Sequence, residues 1–395
     1  MKKTKLPVLL VGVLLVLTFG ALPLMSACPA PGPEEPIKIG AVLPFTGPLA
    51  DAGPKVREGI DFAISEAGGE VAGRPIQVIY QDGPEQATHL EKTKALVERE
   101  KIDASIGFLL EFCIAYMNEV KVPLLGVRPI LPRPGEDELV YCFMPSGTFK
   151  MFTYPLAWYA YDHMGFRTAV CVAHDLDDGR KSIAYFTEAF EAKGGKVIQQ
   201  QIPPVDTPDY GPYLVALQEA DVTFTWFYPP EFLRYLTQYN DFGLFQKQPV
   251  IISICENLLH ELLPAFGDYI LGVTGSCDYF CTMDNPANEK FVSGLKEMYG
   301  EEIFIDSWVL CGYEAAEVIL TALEATGGDT TPEKFRQAIL NVNIETPSTT
   351  SLTFRPDGWG SKDMHIFEIQ KVNGQYRWMP IYTYSGVEPV EPVAP

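Results

Sequence analysis

Short apolar runs alternate with helical repeats along this chain, and the alternation starts twice. Ile37–Leu43 reads as a strand that ends in the turn Pro44-Phe45-Thr46-Gly47-Pro48. A helix follows from about Pro54, with Val56, Ile60, Ala63, Ile64 and Ala67 on one face at the 3.6-residue period, and Gly68-Gly69 stops it. Residues 76–80, 104–106, 122–126 and 140–144 read as further strands, and 86–100 as a helix. The pattern then restarts: a helix at 149–164, a strand at 168–173, a helix at 181–193 closed by Gly194-Gly195, then strands at 197–202, 222–227 and 249–254. Helical stretches are predicted near 213–219 and 231–242. Strand, helix, strand in this order needs crossover connections and so a parallel sheet with helices on both faces. Two doubly wound α/β units are therefore expected. Three helices at 286–299, 307–326 and 332–340 come next. Strands at 351–354, 364–370 and 376–380 read as antiparallel, turned by Arg355-Pro356-Asp357-Gly358 and Asn373-Gly374.

A length of 395 residues suits two domains, and 47% hydrophobic with 21% charged residues is globular composition. The formal net charge of −21 argues against a nucleic-acid binder, which needs a basic face. Lys2, Lys3 and Lys5 precede an apolar run, Leu6–Met25, and then Ser26-Ala27-Cys28. This is the order of a secretory signal. Leu24-Met25-Ser26-Ala27-Cys28 resembles a bacterial lipobox, with Met25 where a Leu is usual; residues 1–27 are then a lipoprotein signal peptide and Cys28 the lipidated residue. The competing reading is an uncleaved membrane anchor, weakened by Pro7, Gly20 and Pro23. The Pro-rich segment 28–36 reads as a tether, and 385–395 as a disordered tail.

Catalytic signatures are missing. There is no phosphate-binding Gly-x-x-x-x-Gly-Lys-Ser/Thr, no Gly-x-Gly-x-x-Gly after a strand, no Gly-x-Ser-x-Gly and no His-Glu-x-x-His. Asp175, Asp177 and Asp178 are followed by Gly179 and Arg180, which breaks a calcium loop. No Cys-x-x-Cys occurs; Cys277 and Cys281 could bridge, or most of the seven later cysteines are buried thiols. No cofactor and no metal are expected.

Several segments, in order, resemble the leucine/isoleucine/valine-binding class of solute-binding proteins of ABC transporters. They are Ile37-Lys-Ile-Gly-Ala-Val-Leu-Pro-Phe-Thr-Gly-Pro-Leu-Ala50, Gly73-Arg-Pro-Ile76, Asp103-Ala-Ser-Ile-Gly107, Val122-Pro-Leu-Leu125, Glu188-Ala-Phe-Glu-Ala-Lys-Gly-Gly-Lys196, Gly312-Tyr-Glu-Ala315 and Leu352-Thr-Phe-Arg-Pro-Asp-Gly358. The resemblance covers about residues 37–384. It implies the type I periplasmic binding protein fold: two Rossmann-like lobes joined by three crossovers, with ligand in the cleft between them. One lobe is expected to hold 37–146 and 281–350, the other 147–280 and 351–384. Ligands of open α/β sheets sit beyond the carboxyl ends of strands. The loops 45–53, 107–112, 126–130, 173–180, 227–230 and 255–257 are therefore expected to converge on that cleft.

Family amino-acid binders hold the ligand carboxylate with hydroxyls and backbone N–H groups, and the ammonium with an acid. Carried over position by position, the match is mixed. Phe108-Leu109-Leu110-Glu111-Phe112 stands where small polar residues are usual, Arg128 follows where Thr is usual, and Asp178-Gly179 replaces Tyr-Gly. Phe227, Tyr228 and Glu256 survive as an aromatic pair and an acid. The candidate ligand residues are thus Phe45, Thr46, Phe108, Leu110, Glu111, Arg128, Asp178, Phe227, Tyr228 and Glu256. Arg128 offers a planar fork to a carboxylate, or else pairs with Glu111. Phe108, Leu109 and Phe112 suit an apolar or aromatic ligand body if they face the cleft, and are core if they do not. The resemblance implies a monomeric, lipid-anchored, extracytoplasmic protein that captures a small amino acid or an organic acid, aromatic or otherwise, for an ABC permease. A sensor on the same fold and an exported hydrolase are the alternatives.

Overall fold

The computed structural model describes residues 35–47, 49–127 and 139–389. The signal segment, Cys28, Arg128 and residues 390–395 lie outside the described residues. Among those described, no helix is long and apolar enough to cross a membrane.

The first sheet is built from β1 (Ile37–Leu43), β2 (Glu70–Val71), β3 (Arg74–Asp82), β4 (Ala104–Gly107), β5 (Leu124–Gly126) and β6 (Cys142–Phe143), in the order β2-β3-β1-β4-β5-β6. β1 is apolar almost throughout because it is covered on both faces, as a central parallel strand must be. It pairs in parallel with β3 from Ile37↔Ile76 to Leu43↔Asp82, and with β4 from Ile39↔Ala104 to Val42↔Gly107. The order therefore reverses at β1, which leaves a crevice beyond its carboxyl end. α1 (Ala52–Glu66) and α2 (Gln86–Ala95) follow β1 and β3. One helix went unforeseen: α3 (Glu111–Val120) follows β4 and begins inside the segment expected to be loop.

The second sheet repeats the plan. Its strands are β7 (Thr168–Ala173), β8 (Lys196–Gln201), β9 (Val222–Trp226), β10 (Val250–Ser253) and β11 (Thr274–Cys277), parallel in the order β11-β10-β9-β7-β8. Its helices are α4 (Phe149–Asp162), α5 (Asp177–Ala192), the short α6 (Gly211–Val215) and α7 (Pro229–Asp241). α5 starts a turn earlier than the sequence period suggests, which puts Asp178 in its first turn. β11 was not foreseen; Thr-Gly-Ser-Cys carries little strand signal of its own.

The chain then returns to the first sheet with α8 (Pro286–Tyr299), α9 (Ser307–Thr326) and α10 (Pro332–Leu340). α9 crosses α1 backbone to backbone. A Cβ added at Gly59 would lie 1.9 Å from the Val309 carbonyl oxygen, and one at Gly312 would lie 2.0 Å from that of Val56. Only glycine fits either place, which gives Gly312 of the Gly-Tyr-Glu-Ala segment its physical reason. Finally β12 (Asn343–Thr346), β13 (Thr349–Phe354), β14 (Gly360–Val372) and β15 (Gln375–Val387) form antiparallel ladders, and β14 joins β11. Asn373 and Gly374, at φ 51° and 80°, make the tight turn into β15. β15 runs to Val387, past the expected start of the tail.

Among the described residues the chain leaves the first sheet after β6, packs α9 against α1 after β11, and rejoins the second sheet with β12. A fully buried charge cluster joins the segment after β11, α9 and the β12–β14 region. Lys362 Nζ on β14 donates to Glu314 Oε1 and Oε2 on α9, at 2.8 and 2.9 Å, and to Asp278 Oδ2 after β11, at 3.2 Å. Glu314 Oε1 also accepts the hydroxyls of Thr346 and Ser348, each at 2.8 Å. Burial pushes the Lys362 ammonium toward neutrality, but the Glu314 and Asp278 carboxylates outweigh it and hold the group above its ordinary value. Lys362→Met should cost about 3–5 kcal/mol in urea unfolding, because two carboxylates stay buried without their cation. Adding Glu314→Leu should restore part of the loss; a single variant as stable as the parent would show that the cluster carries little.

Candidate ligand-binding cleft

The carboxyl ends of both sheets face one cavity of about 380 Å³. From the first sheet come Pro44 and Leu49 after β1, Gly83, Pro84 and Glu85 after β3, His89 on α2, and Phe108 and Leu110 after β4. From the second come Phe149 at the start of α4, Asp178 on α5, Trp226 and Tyr228 around the end of β9, and Ile254 and Asn257 after β10. A larger hollow of about 760 Å³ lies over α9 and α10, but no strand carboxyl end reaches it.

Four of the expected ligand residues line the cavity: Phe108, Leu110, Asp178 and Tyr228. Five do not. Phe45 turns its ring edge-on to Tyr80, at 6.3 Å. Thr46 is exposed, and its hydroxyl donates to Asp82 at 2.6 Å; Asp82 also takes the backbone N–H groups of Phe45 and Thr46 at 2.9 and 3.2 Å. That loop is shaped by Asp82, an acid at the end of β3 that belongs to no recognisable motif. Glu111 sits exposed in the first turn of α3, where its charge suits the helix N-terminus. Phe227 is fully buried, with its ring 4.7 Å from His174 and 4.9 Å from Tyr235. Trp226, the last residue of β9, and Tyr228, just before α7, line the cavity, while Phe227 between them packs into the core. Glu256 is buried in the turn Cys255–Asn257, whose neighbours Ile254 and Asn257 form the wall. Arg128 lies outside the described residues.

The wall of the second sheet is aromatic and stiff. Trp226 and Tyr228 stand at 5.0 Å, and Trp226 meets Phe149 at 5.9 Å. The Tyr228 hydroxyl donates to Asp178 Oδ2 at 3.1 Å. Ile254 adopts φ 54° and ψ 58°, a left-handed conformation that costs a β-branched residue on the order of 1–3 kcal/mol. The turn is held by the Asn257 amide, which donates to the Phe227 carbonyl at 3.1 Å, and by the Trp378 indole on the Leu258 carbonyl at 2.8 Å. Behind the wall, His174 is fully buried, 6.3 Å from Trp226 and 6.2 Å from Tyr228. The cysteines follow the buried-thiol reading and not the Cys277–Cys281 bridge: all seven described cysteines are thiols, and the sulfur beside Cys277 is that of Cys255, at 3.5 Å. Among the described residues no group of His, Cys, Asp and Glu could hold a metal ion.

Two doubly wound lobes that meet at their strand ends, with a mainly apolar cleft between them, define a ligand-binding protein of the solute-capturing kind. The model of the periplasmic binding protein family matches residues 36–375, and the chain belongs to that family. It is 25% identical over 376 residues to the Leu/Ile/Val-binding protein homolog 6 of Brucella suis biovar 1 (strain 1330), covering 92% of this chain and 96% of that one. Among solved structures it is similar to an ABC transporter substrate-binding protein from Sphaerobacter thermophilus (TM-score 0.83, 26% identity, 90% of this chain and 99% of that one). It shares its fold with a solute-binding protein from Rhodopseudomonas palustris HaA2 in complex with p-hydroxybenzoic acid (TM-score 0.78, 24% identity, 89% and 97%).

Burial lowers His174 to about 4; His260 is also lowered to about 4, by burial and by the charge of Arg377. His260 Nε2 accepts the Trp378 backbone N–H at 2.9 Å, a bond only the neutral ring can make. Both rings regain an ordinary value near ~6.5 when the chain unfolds. The unfolded state then binds more protons below that value, so stability present above pH ~6.5 is lost as pH falls toward 4. Urea unfolding at pH 5 should show a loss of about 1–2 kcal/mol per ring relative to pH 7. His260→Gln should flatten the profile; an unchanged slope would mean that His260 does not set it.

Proposed function

We propose that this protein is the extracytoplasmic, lipid-anchored receptor of an ABC importer, and that its ligand is a small organic acid with an aromatic or other apolar body. The observation that carries the ligand class is the lining of the cleft. Phe108 and Leu110 stand where family amino-acid binders place small polar residues, and Phe149, Trp226 and Tyr228 face them. Flat rings bury an aromatic ligand face-on or edge-on at little entropic cost. The p-hydroxybenzoic acid held by the Rhodopseudomonas protein supports the same reading. The Brucella relative's name supports a branched-chain amino acid as the second reading, and Asp178 is the expected acid that lines the cavity and would serve an ammonium.

On this reading the lobes are 37–146 with 281–350, and 147–280 with 351–384, and they close on the ligand about the Lys362 cluster. The packing of α9 on α1 supports the first grouping. Arg128 is the residue we assign to the ligand carboxylate, for its fork geometry. Closure excludes water and presents one shape to the permease, where the protein acts as a monomer. A ligand that binds only the folded protein stabilises it by ~2.7 kcal/mol at a hundredfold excess over Kd. A thermal-shift screen of benzoates, phenylpropanoids and amino acids should therefore give a clear hit among the aromatic acids, with compaction in solution scattering. Hits confined to branched-chain amino acids would establish the second reading instead.

The anchor is tested separately. Cys28→Ala should release the protein from membranes or block its processing. Unchanged membrane retention and size would make the apolar segment an uncleaved anchor.

A further inference from the structure

Two thiols meet at the turn that carries part of the cleft wall. Cys255 opens that turn, Cys255–Asn257, and Cys277 ends β11. Ile254 and Asn257, on either side of Cys255 and Glu256, line the cavity. β10 and β11 run in parallel with Ser253 beside Ser276, so both cysteines follow from one end of a paired ladder. Gly275 brings them together. A Cβ at that position would stand 2.4 Å from Cys255 Cβ and 2.8 Å from the Ile252 carbonyl oxygen, so glycine alone lets the Cys255 side chain lie across β11. Cys255 Sγ there donates to Cys277 Sγ at 3.5 Å, and Cys277 Sγ donates to the Tyr279 carbonyl at 3.5 Å. Both side chains are fully buried, and burial holds both thiols above their ordinary value. Cysteines that merely fill a core need no common direction. These two come from different segments and turn their sulfurs on each other.

We propose that Cys255 and Cys277 are a dithiol pair that closes to a disulfide under oxidising conditions and clamps the cleft turn to β11. Membership of the periplasmic binding protein family is consistent with an extracytoplasmic place, where disulfides persist. The oxidant is an organic disulfide. One cysteine thiolate attacks a sulfur of that disulfide and releases a first small thiol; the second cysteine thiolate then displaces the other small thiol. The protein gains one S–S bond, the organic disulfide is reduced, and the two cysteine hydrogens end on the two small thiols. Sulfurs now 3.5 Å apart must draw together by about 1.5 Å, since an S–S bond measures about 2.0 Å. Exchange needs a thiolate and access, and burial withholds both from the folded dithiol. The pair therefore closes as the chain folds, or when the turn opens locally. The bond joins points 22 residues apart and fixes the turn that carries Ile254 and Asn257. It does not depend on which ligand the cleft takes.

Peptide mapping tests the pair. The full chain, reduced and unfolded in urea, is refolded in parallel in a buffer of oxidised and reduced glutathione and in a reductant alone. Remaining thiols are alkylated, and both samples are digested without further reduction. The glutathione sample should yield the peptides of Cys255 and Cys277 joined, with the other described cysteines alkylated. The linked protein should melt at least about 4 °C above the reduced one and lose that gain on reduction, because the bond closes a loop in the unfolded chain. The amides of Asn257 and Leu258 donate to the Ile254 and Cys255 carbonyls across the turn. They should exchange hydrogen at least about tenfold more slowly in the linked protein. Cys277→Ala refolded in glutathione should show neither gain, and reversal by reductant tests the parent without any substitution. Cys255 and Cys277 both alkylated after refolding in glutathione, or either joined to another cysteine, overturns the pairing. A linked protein that melts no higher, or whose turn exchanges at the reduced rate, overturns the clamp.

Discussion

One buried ammonium holds the molecule's two halves in register. Lys362 is fully buried on a strand of the second sheet, and both of its carboxylate partners are buried with it. Glu314 belongs to the helix that packs on the first sheet, and Asp278 to the segment where the chain leaves the second. A charge in such a place is tolerable only if every one of its hydrogens finds an oxygen, and here each does. The requirement is directional. An apolar contact tolerates sliding, whereas an ammonium shared between two carboxylates has one geometry. The cluster thus fixes where the segment after β11, α9 and β14 meet, next to the passages that link the two sheets.

The two walls of the cleft divide the work. The second sheet supplies rings fixed by each other and by a turn whose backbone is held in an unfavourable conformation at Ile254. Such a residue persists only because its surroundings over-determine it, and the Asn257 and Trp378 hydrogen bonds do so. The first sheet supplies short turns after β1, β3 and β4, the first of them shaped from beneath by Asp82.

Most of the fold was legible because it follows from period and punctuation. The parallel strands announce themselves as apolar runs, and the helices between them as 3.6-residue repeats with glycine stops. What stayed hidden had weak local signal. Thr274–Cys277 becomes a strand because β10 offers it an edge, not because its residues favour one. The helix at Glu111–Val120 directly follows a strand and a run of large apolar residues, so its start was read as loop. The cleft was half legible. Strand-end position pointed to Phe108, Leu110, Asp178 and Tyr228, and these four line the cavity. It could not show that Phe227, between Trp226 and Tyr228, packs into the core. Gly83 and His89 were missed because the loop after β3 was not counted among the strand-end loops, even though Asp82-Gly83-Pro84 marks it as one. Thr46 was misjudged for a different reason: a hydroxyl in the right loop was already engaged by an acid 36 residues away in sequence.

The close crossing of α1 and α9 at Gly59 and Gly312 has a consequence for how the chain acquires its shape. The helix that seals the first sheet is supplied by residues 307–326, after the whole parallel portion of the second sheet has been laid down. An N-terminal fragment would expose the face of α1 that α9 covers, with its backbone carbonyls and apolar side chains unprotected. The half that begins first therefore finishes last, and its completion waits on contacts of very long sequence separation, which slow folding. A nascent or stalled chain of this protein is an object for chaperones, not a half-built receptor with one working lobe.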